Sequence, residues 1–575
     1  MQEGKPLIQN PDGFLFARLI RDGFINPDNL RYFPDGIEYP FFPMIGFLGH
    51  SVYRITGAPP EWIGTFMDIM FSSLFVIPMF LFLNKLGYPI VGILASSMAT
   101  MSPFYLDRTE ANLIDTDSLN LFFPFMNAYI FLQVIKEGPK HVYFLALLVN
   151  NLLYYWWYAH FEFILASFFG FTILTLWERN FKSLYYSLLV LITFSAISYP
   201  LFGHIPGLDA VYRVSAYFVP HELIEGSEEA HRVLQTIAEQ ANIGFFQSYN
   251  LFIVGKLYFV ISILWFFRLW RWGLLLTPFV ILSILAYHKG NIRLFMYVVP
   301  LVSIGFSFFL WDTYRLFSNV LKNPKLKFVA PLYIFTAFSI SQPLNYIIFR
   351  KPEFYFYPET WKDFQKLKEL TPEGSAIFTW WDWGYAIQYY SGRATFHDGG
   401  SQGTKKTELI ARALLSPEEE AHKIITLLSS KDTESSRRNV YVLITSDMLL
   451  KLGAIRQVAG LPNSYGVVVF DGCKEPACQR NVSLDEGVYR EIYNQKDTLD
   501  IEFSRYIEYK DGRKVLDYSS DKKGFVLVYV KEKEKEKKYY ISQSMLNTIL
   551  IELLLFPDNQ FKYFELVYRN FPDFV

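Results

Sequence analysis

The chain has 575 residues, with 54 Lys and Arg against 55 Asp and Glu and a net charge of −1, which excludes the basic excess typical of nucleic-acid proteins. Hydrophobic residues make up 51% and charged ones only 19%, and 56 Phe help lift the aromatics to 19%. Of the 109 charged side chains, 64 lie beyond Arg350, which excludes one uniform soluble globule and predicts a membrane body followed by a water-exposed domain.

In chain order, the first 60 residues contain no span of membrane length and no signal-peptide pattern. Within them, Asp12-Gly13 in NPDGF fits a turn. Apolar stretches able to cross roughly 30 Å of hydrocarbon then recur near 63–84, 88–106, 118–135, 141–157, 160–177, 183–202, 251–267, 272–287, 293–311 and 328–346. They predict a polytopic α-helical membrane domain over 1–348. Lys85, Lys136 with Lys140, Arg179 with Lys182, Arg268 with Arg271, and Arg315 with Lys322, Lys325 and Lys327 fall in alternate loops. Basic short loops stay cytoplasmic. This places the N-terminus and residues 349–575 on the extracytoplasmic side of the cell membrane.

The outer loops are then 107–117, 158–160, 203–250 and 288–292. Ionisable groups at a membrane boundary are costly, so those that occur there are functional candidates. Asp115-Thr116-Asp117 admits two readings: an N-cap before a helix, or two carboxylates sharing a hard divalent cation. Thr236–Glu239 (TIAE) reads as a surface helix segment. Arg293, at the outer end of a span, either snorkels to water or grips a phosphate. No pair of interrupted, repeat-related spans points to a transporter.

Beyond the membrane body, 375–380, 440–444, 466–470 and 524–530 read as short strands. Helical patterns run between them, notably over 403–429 with SPEEE as a helix start. This predicts a mixed α/β domain over 349–575. Lys531–Lys538 (KEKEKEKK) reads as a solvated hairpin or loop. The two cysteines, Cys473 and Cys478, are too few for a zinc site, and outside the cell they fit a disulfide closing a small loop. Trp380–Gly384 (WWDWG) follows a predicted strand. It reads either as a core turn or as an aromatic floor with one acceptor, suited to a small hydroxylated ligand.

WWDWG, the outer DTD, TIAE and NPDGF, in their arrangement along the chain, closely resemble the catalytic subunit of N-linked oligosaccharyltransferases. WWDWGYAIQYYSGRATFHDGG is similar to the bacterial and shorter archaeal single-subunit enzymes. The resemblance covers nearly the whole chain and implies a GT-C type membrane domain with an outer α/β domain. It implies that Asp12, Asp115, Asp117 and Glu239 bind Mn²⁺ or Mg²⁺. Arg293 would hold the lipid phosphate with support from Arg108 and Tyr385, and Trp380, Trp381 and Asp382 would read the Ser or Thr hydroxyl of Asn-X-Ser/Thr.

The expected partners are a lipid-linked oligosaccharide, acceptor proteins and membrane lipid, with the chain acting as a single subunit. The family carries a further span ahead of the Asp12 loop, so a span preceding residue 1 is expected. A further sequon-binding helix is matched by Met448, Lys451 and Ile455; the same residues also fit an ordinary amphipathic helix beginning near Asp447. Residues 240–255 lack Arg and Lys, which favours a short sequon without an upstream acid. Asn481-Val482-Ser483 is itself a sequon. Alternative functions are another polyprenyl-phosphate sugar transferase or, more remotely, a transporter.

Overall fold

The structure is a computed structural model that describes residues 4–203, 255–289, 292–320, 360–430, 439–461 and, with short breaks, 467–570. The chain divides into two units, and each is discontinuous in sequence. One comprises Met1–Ile25, Tyr39–Ile224 and Ile237–Phe356, and the other Asn26–Glu38, Glu225–Thr236 and Tyr357–Val575. The sequence boundary expected at 348/349 lies outside the described residues.

The first unit is helical. Its first ten α-helices are α1 (Pro11–Asp22), α2 (Met44–Thr56), α3 (Pro60–Leu74), α4 (Val76–Lys85), α5 (Pro89–Thr100), α6 (Pro103–Thr109), α7 (Phe122–Glu137), α8 (His141–Trp157), α9 (Phe161–Trp177) and α10 (Phe181–Phe202). Proline opens α1, α3, α5 and α6, where its missing N–H has no intrahelical partner to lose. Later in the chain come Gly255–Phe266, Thr277–Lys289 and Phe295–Val320.

Among the described residues, four helices are long and apolar enough to cross a membrane: Pro60–Lys85, Thr116–Glu137, Phe181–Phe202 and Phe295–Leu316. The protein is a multi-pass membrane protein. The most apolar 18-residue window of Thr116–Glu137 is 78% buried and that of Phe181–Phe202 only 22%. The former is therefore central to the bundle, and the latter turns residues such as Tyr185 and Ile192 outward.

The span expected over 88–106 is two helices, Pro89–Thr100 and Pro103–Thr109, meeting at 59°. Pro103 restricts Ser102 to extended backbone and ends the first helix. Phe259–Leu269 and Trp272–Ala286 meet at 114°, and only together are they long and apolar enough for one broken span or a re-entrant loop, where two separate passes were expected. The span expected at 328–346 lies outside the described residues.

The second unit is mixed α/β. A three-stranded parallel sheet runs β2-β1-β3, with β1 (Ala376–Phe378) between β2 (Ala394–Thr395) and β3 (Val440–Val442). A seven-stranded sheet has the order β4-β10-β9-β7-β6-β5, with β8 also on β7. Its strands are β4 (Val467–Asp471), β5 (Asn481–Asp485), β6 (Val488–Tyr493), β7 (Asp497–Lys510), β8 (Arg513–Ser519), β9 (Phe525–Glu532) and β10 (Lys535–Ile541). All its pairings are antiparallel except β7 with β9.

The four expected strands correspond to β1, β3, β4 and β9, and of KEKEKEKK the residues Lys531 and Glu532 pair with Glu536 and Lys535 across β9 and β10. The pattern over 403–429 becomes two helices, Lys405–Leu414 and Glu418–Ser429, broken at Pro417.

The segment 26–38 belongs to this second unit although it lies between α1 and α2 in sequence. Thr395 N–H donates to Leu30 C=O, and Phe33 N–H donates to Thr395 C=O, each at 2.9 Å. The segment thus lies beside β2, with Phe33 edge-on to Phe396.

Candidate functional site

In the first unit, the sequence NPDGF begins a helix rather than forming a mere turn. Asn10 is the N-cap of α1, and its side-chain oxygen accepts from Asp12 N–H at 3.2 Å. Its amide nitrogen donates to Asp115 Oδ2 at 3.0 Å. One side chain therefore ties the helix start carrying Asp12 to a carboxylate 105 positions away. Gly13 is required there, since a Cβ would lie 2.4 Å from Leu113 O.

Asp115 also caps the 3₁₀ turn Thr116–Leu119, its Oδ1 accepting from Thr116 N–H at 2.6 Å. The N-cap reading of the DTD segment is thus correct for Asp115, and Oδ2 is the oxygen that faces Asn10. Asp117 is 1% exposed and accepts from Arg108 Nε at 2.8 Å, Arg108 Nη2 at 2.6 Å and Asn120 Nδ2 at 2.9 Å. Arg293 Nη2 is 3.6 Å from its other oxygen, and Arg108 Nη2 is 3.6 Å from Asp115.

The structure thus brings Asp115, Asp117, Arg108 and Arg293 together, linked to α1 by Asn10. Sequence reasoning missed Asn10, whose signal was an Asn before Pro at a helix start. It also missed Tyr158, a half-buried side chain whose hydroxyl is raised above its ordinary range by desolvation and is near enough to Arg293, Asp117 and Asp115 to feel their charges.

The donor chemistry suits a hard divalent cation. Asp115 accepts from Asn10 and Thr116, and Asp117 accepts from Arg108 and Asn120. Among the described residues no three His, Cys, Asp or Glu side chains converge on one point. Glu239 lies outside the described residues, as do Cys473 and Cys478.

In the second unit, WWDWG follows β1 directly and turns through a 3₁₀ segment, Trp381–Trp383, into the helix Gly384–Ser391. A Cβ on Gly384 would meet His397 O at 2.5 Å, so this position must be glycine for the helix to pack against the chain after β2. Trp380 is 1% exposed, edge-on to His397 at 5.7 Å, and is core rather than open floor. Trp381 alone of the pair keeps partial exposure, and its indole N–H has no partner among the described residues.

Asp382 Oδ2 is 2.7 Å from Lys451 Nζ, and Lys451 also reaches Asp447 at 3.0 Å. Asp447 in turn accepts from Trp383 Nε1 at 3.1 Å. Burial alone would lower the Lys451 pKa, but the carboxylates of Asp382 and Asp447 outweigh it and hold the ammonium above its ordinary value. The helix beginning at Asp447 thus delivers Lys451 onto WWD, while Met448 and Ile455 are wholly buried.

Tyr385, expected to support phosphate binding, pairs with Arg31. It is buried and its hydroxyl accepts from Arg31 Nη2 at 3.0 Å. The same guanidinium grips Asp398 bidentately, Nε to Oδ2 and Nη2 to Oδ1, each at 2.7 Å. Burial would raise the Asp398 pKa, but Arg31, Gln388 and Ser401 together hold it below the ordinary carboxylate value. Gly400 makes room for this pair, since a Cβ there would lie 2.5 Å from Arg31 Nη2.

Beside it, His397 Nε2–H donates to Thr379 C=O at 2.8 Å. Burial holds its pKa down at about 4, whereas an unfolded histidine titrates near about 6.5. The unfolded chain therefore takes the proton first. The stability this group contributes is complete above pH about 6.5 and falls as pH drops towards about 4. The melting temperature of the second unit should drop between pH 7 and 5, and His397→Gln should make that drop smaller. An equal pH slope in both proteins would refute this role of His397.

Comparison with known proteins places these residues in context. Residues 3–348 match the family described as oligosaccharyl transferase STT3, N-terminal, and residues 373–459 match the STT3/PglB/AglB core domain. Two Campylobacter jejuni undecaprenyl-diphosphooligosaccharide–protein glycotransferases, from strains RM1221 and NCTC 11168, are each 24% identical over 482 residues. That alignment covers 75% of this chain and 65% of each relative, so the chain matches less than two thirds of their length.

The fold is similar to that of Archaeoglobus fulgidus AglB bound to an inhibitory peptide and a dolichol-phosphate. The TM-score is 0.64 at 13% identity, over 96% of this chain and 75% of that one. A structure of the Archaeoglobus fulgidus oligosaccharyltransferase complexed with Zn and sulfate has a TM-score of 0.59 at 15% identity, over 96% and 74%.

Proposed function

The chain belongs to the STT3 family of oligosaccharyl transferases, and from that membership we propose that it moves a glycan en bloc from a polyprenyl or dolichyl phosphate or pyrophosphate carrier to Asn in Asn-X-Ser/Thr. The observation that carries the reading is the join made by Asn10 between the start of α1 and Asp115. It gathers acidic side chains beside two arginines, a setting suited to a leaving phosphate and to a weakly nucleophilic amide.

The amide nitrogen of Asn is a poor nucleophile because its lone pair is delocalised. Asp12 and Glu239, accepting hydrogen bonds from its two N–H groups, weaken that conjugation. The sugar carbon–nitrogen bond forms as the carbon–oxygen bond to the carrier breaks. The departing electron pair goes to the phosphate oxygen, one amide proton passes to a carboxylate, and the configuration inverts. Arg293 meets the developing charge on the phosphate, and Arg108 holds Asp117.

Asp12, Asp115 and Glu239 would hold a Mn²⁺ or Mg²⁺ ion, which would supply further positive charge for the leaving group. This donor set omits Asp117, whose oxygens serve the arginines and Asn120. In the second unit, Asp382 and the free indole N–H of Trp381 read the Ser or Thr hydroxyl, with Trp380 shaping the floor from within and Lys451 orienting Asp382. The outer loops and the α/β unit then belong on the extracytoplasmic side of the cell membrane, with the enzyme working as a single subunit.

The test is transfer from a lipid-linked oligosaccharide to an Asn-X-Thr peptide, against the same peptide with Gln in place of Asn, each with and without EDTA. Transfer to the Asn peptide alone, abolished by EDTA, is expected. Transfer to both peptides would favour a different polyprenyl-phosphate sugar transferase, and activity indifferent to EDTA would remove the cation from the reading.

A further inference from the structure

Asp68 lies within α3, in the membrane-crossing stretch Pro60–Lys85, and is 2% exposed. Among the described residues no cation pairs with it. Its acceptors are directed at backbone: Oδ2 takes Ile114 N–H at 2.5 Å and Oδ1 takes Asp115 N–H at 3.4 Å. Burying a carboxylate without a counter-ion is costly in an apolar setting. Two consecutive backbone donors offset that cost here.

The backbone being held is a strained one. Asn112 has φ 79° and Ile114 has φ 52°, and left-handed backbone is unfavourable for a β-branched residue such as Ile114. Three further contacts fix it. Thr65 Oγ1 donates to Asn112 Oδ1 at 2.8 Å. Gln9 N–H donates to Asn112 C=O at 3.1 Å. Gly64 leaves bare backbone for the Ile114 side chain, since a Cβ there would come within 2.5 Å of it. Gly64, Thr65 and Asp68 share one face of α3 by helical spacing, so that face is a cradle for 112–115.

Asp115 is consequently held from two directions, its backbone by Asp68 and its carboxylate by Asn10 and Thr116. We propose that Asp68 is a positioning residue for Asp115, acting through the loop backbone and touching no reacting atom. The assignment rests on the function proposed above, in which Asp115 is a cation donor. It fixes the loop geometry before any ligand arrives, so its loss should affect turnover and cation affinity while sparing acceptor binding.

The experiment compares wild type with Asp68→Asn in the purified full chain by three measurements. They are kcat for transfer, KM for an Asn-X-Thr peptide, and Mn²⁺ binding to cation-stripped protein by electron paramagnetic resonance. An amide leaves one acceptor and turns a donor towards the second N–H. Expected are a fall in kcat and a weakening of Mn²⁺ binding, each of about 10–100-fold, as for other residues that orient metal ligands, with peptide KM unchanged. Wild-type kcat and Mn²⁺ affinity in the variant would overturn the proposal. So would a rise in peptide KM with Mn²⁺ affinity intact, the mark of general loosening.

Should Asp68→Asn not purify folded, Thr65→Val provides the same test from the neighbouring bond, with about fivefold weaker Mn²⁺ binding expected and no change refuting it. A wild-type protein that transfers glycan without binding Mn²⁺ would instead defeat the cation reading beneath the proposal.

Discussion

Asp382→Ala is expected to reduce glycan transfer to Asn-X-Thr peptides by roughly 10⁴–10⁵-fold, because a site built to hydrogen-bond a hydroxyl discriminates on about that scale. Two features make the effect large. Asp382 is only 7% exposed, so no water-rich surroundings replace its carboxylate. Its removal also leaves Lys451 with Asp447 as its remaining carboxylate partner among those identified, which draws the ammonium away from the hydroxyl site. Asp382→Asn should retain part of the activity, since an amide oxygen still accepts. The membrane helices lie in the other unit and should remain folded, as judged by far-ultraviolet circular dichroism in detergent. Wild-type turnover by Asp382→Ala would sink the assignment.

The second large effect concerns stability. Arg31→Met leaves Asp398, wholly buried, without the guanidinium that pairs with both its oxygens. Stranding one member of a buried pair costs about 3–5 kcal/mol, enough to consume a large part of the 5–15 kcal/mol that roughly spans ordinary domain stability. The double variant Arg31→Met with Asp398→Leu should recover most of this loss, because no unpaired charge then stays behind. Denaturant titration followed by tryptophan fluorescence would measure both. A single variant within about 1 kcal/mol of wild type would place Arg31 among weak surface pairs instead.

Much of the candidate site was legible because its chemistry is written locally. Asp115 and Asp117 are two residues apart and Trp380–Gly384 are contiguous, so spacing alone drew attention to them. Arg293 was visible as a charge at the end of an apolar run. Residues whose partners are distant in sequence were not legible. Asn10 meets Asp115 across 105 positions, and Arg31 meets Asp398 across 367. Asp68 was absorbed into an apolar average over 63–84, where one carboxylate barely changes the hydropathy.

Composition suggests a large aromatic surface at WWDWG but not which ring turns inward, and Trp380 is the buried one. The fold followed the same division. Apolar runs announced the helices and β1, β3, β4 and β9, whereas β7 and β8 are charged strands whose place is set by sheet pairing. Their side chains carry little hydrophobic signal of their own.

The segment 26–38 has a practical consequence for anyone recombining these proteins. The second unit is assembled from separate pieces of chain, and Arg31 on the early piece is the counter-ion of Asp398 on the late one. A chimera that exchanges only residues 357–575 between relatives would graft an interior onto a foreign lining strand. A working exchange has to transplant 26–38 together with the C-terminal stretch. Moving both stretches together would keep the Arg31–Asp398 pair within one parent sequence.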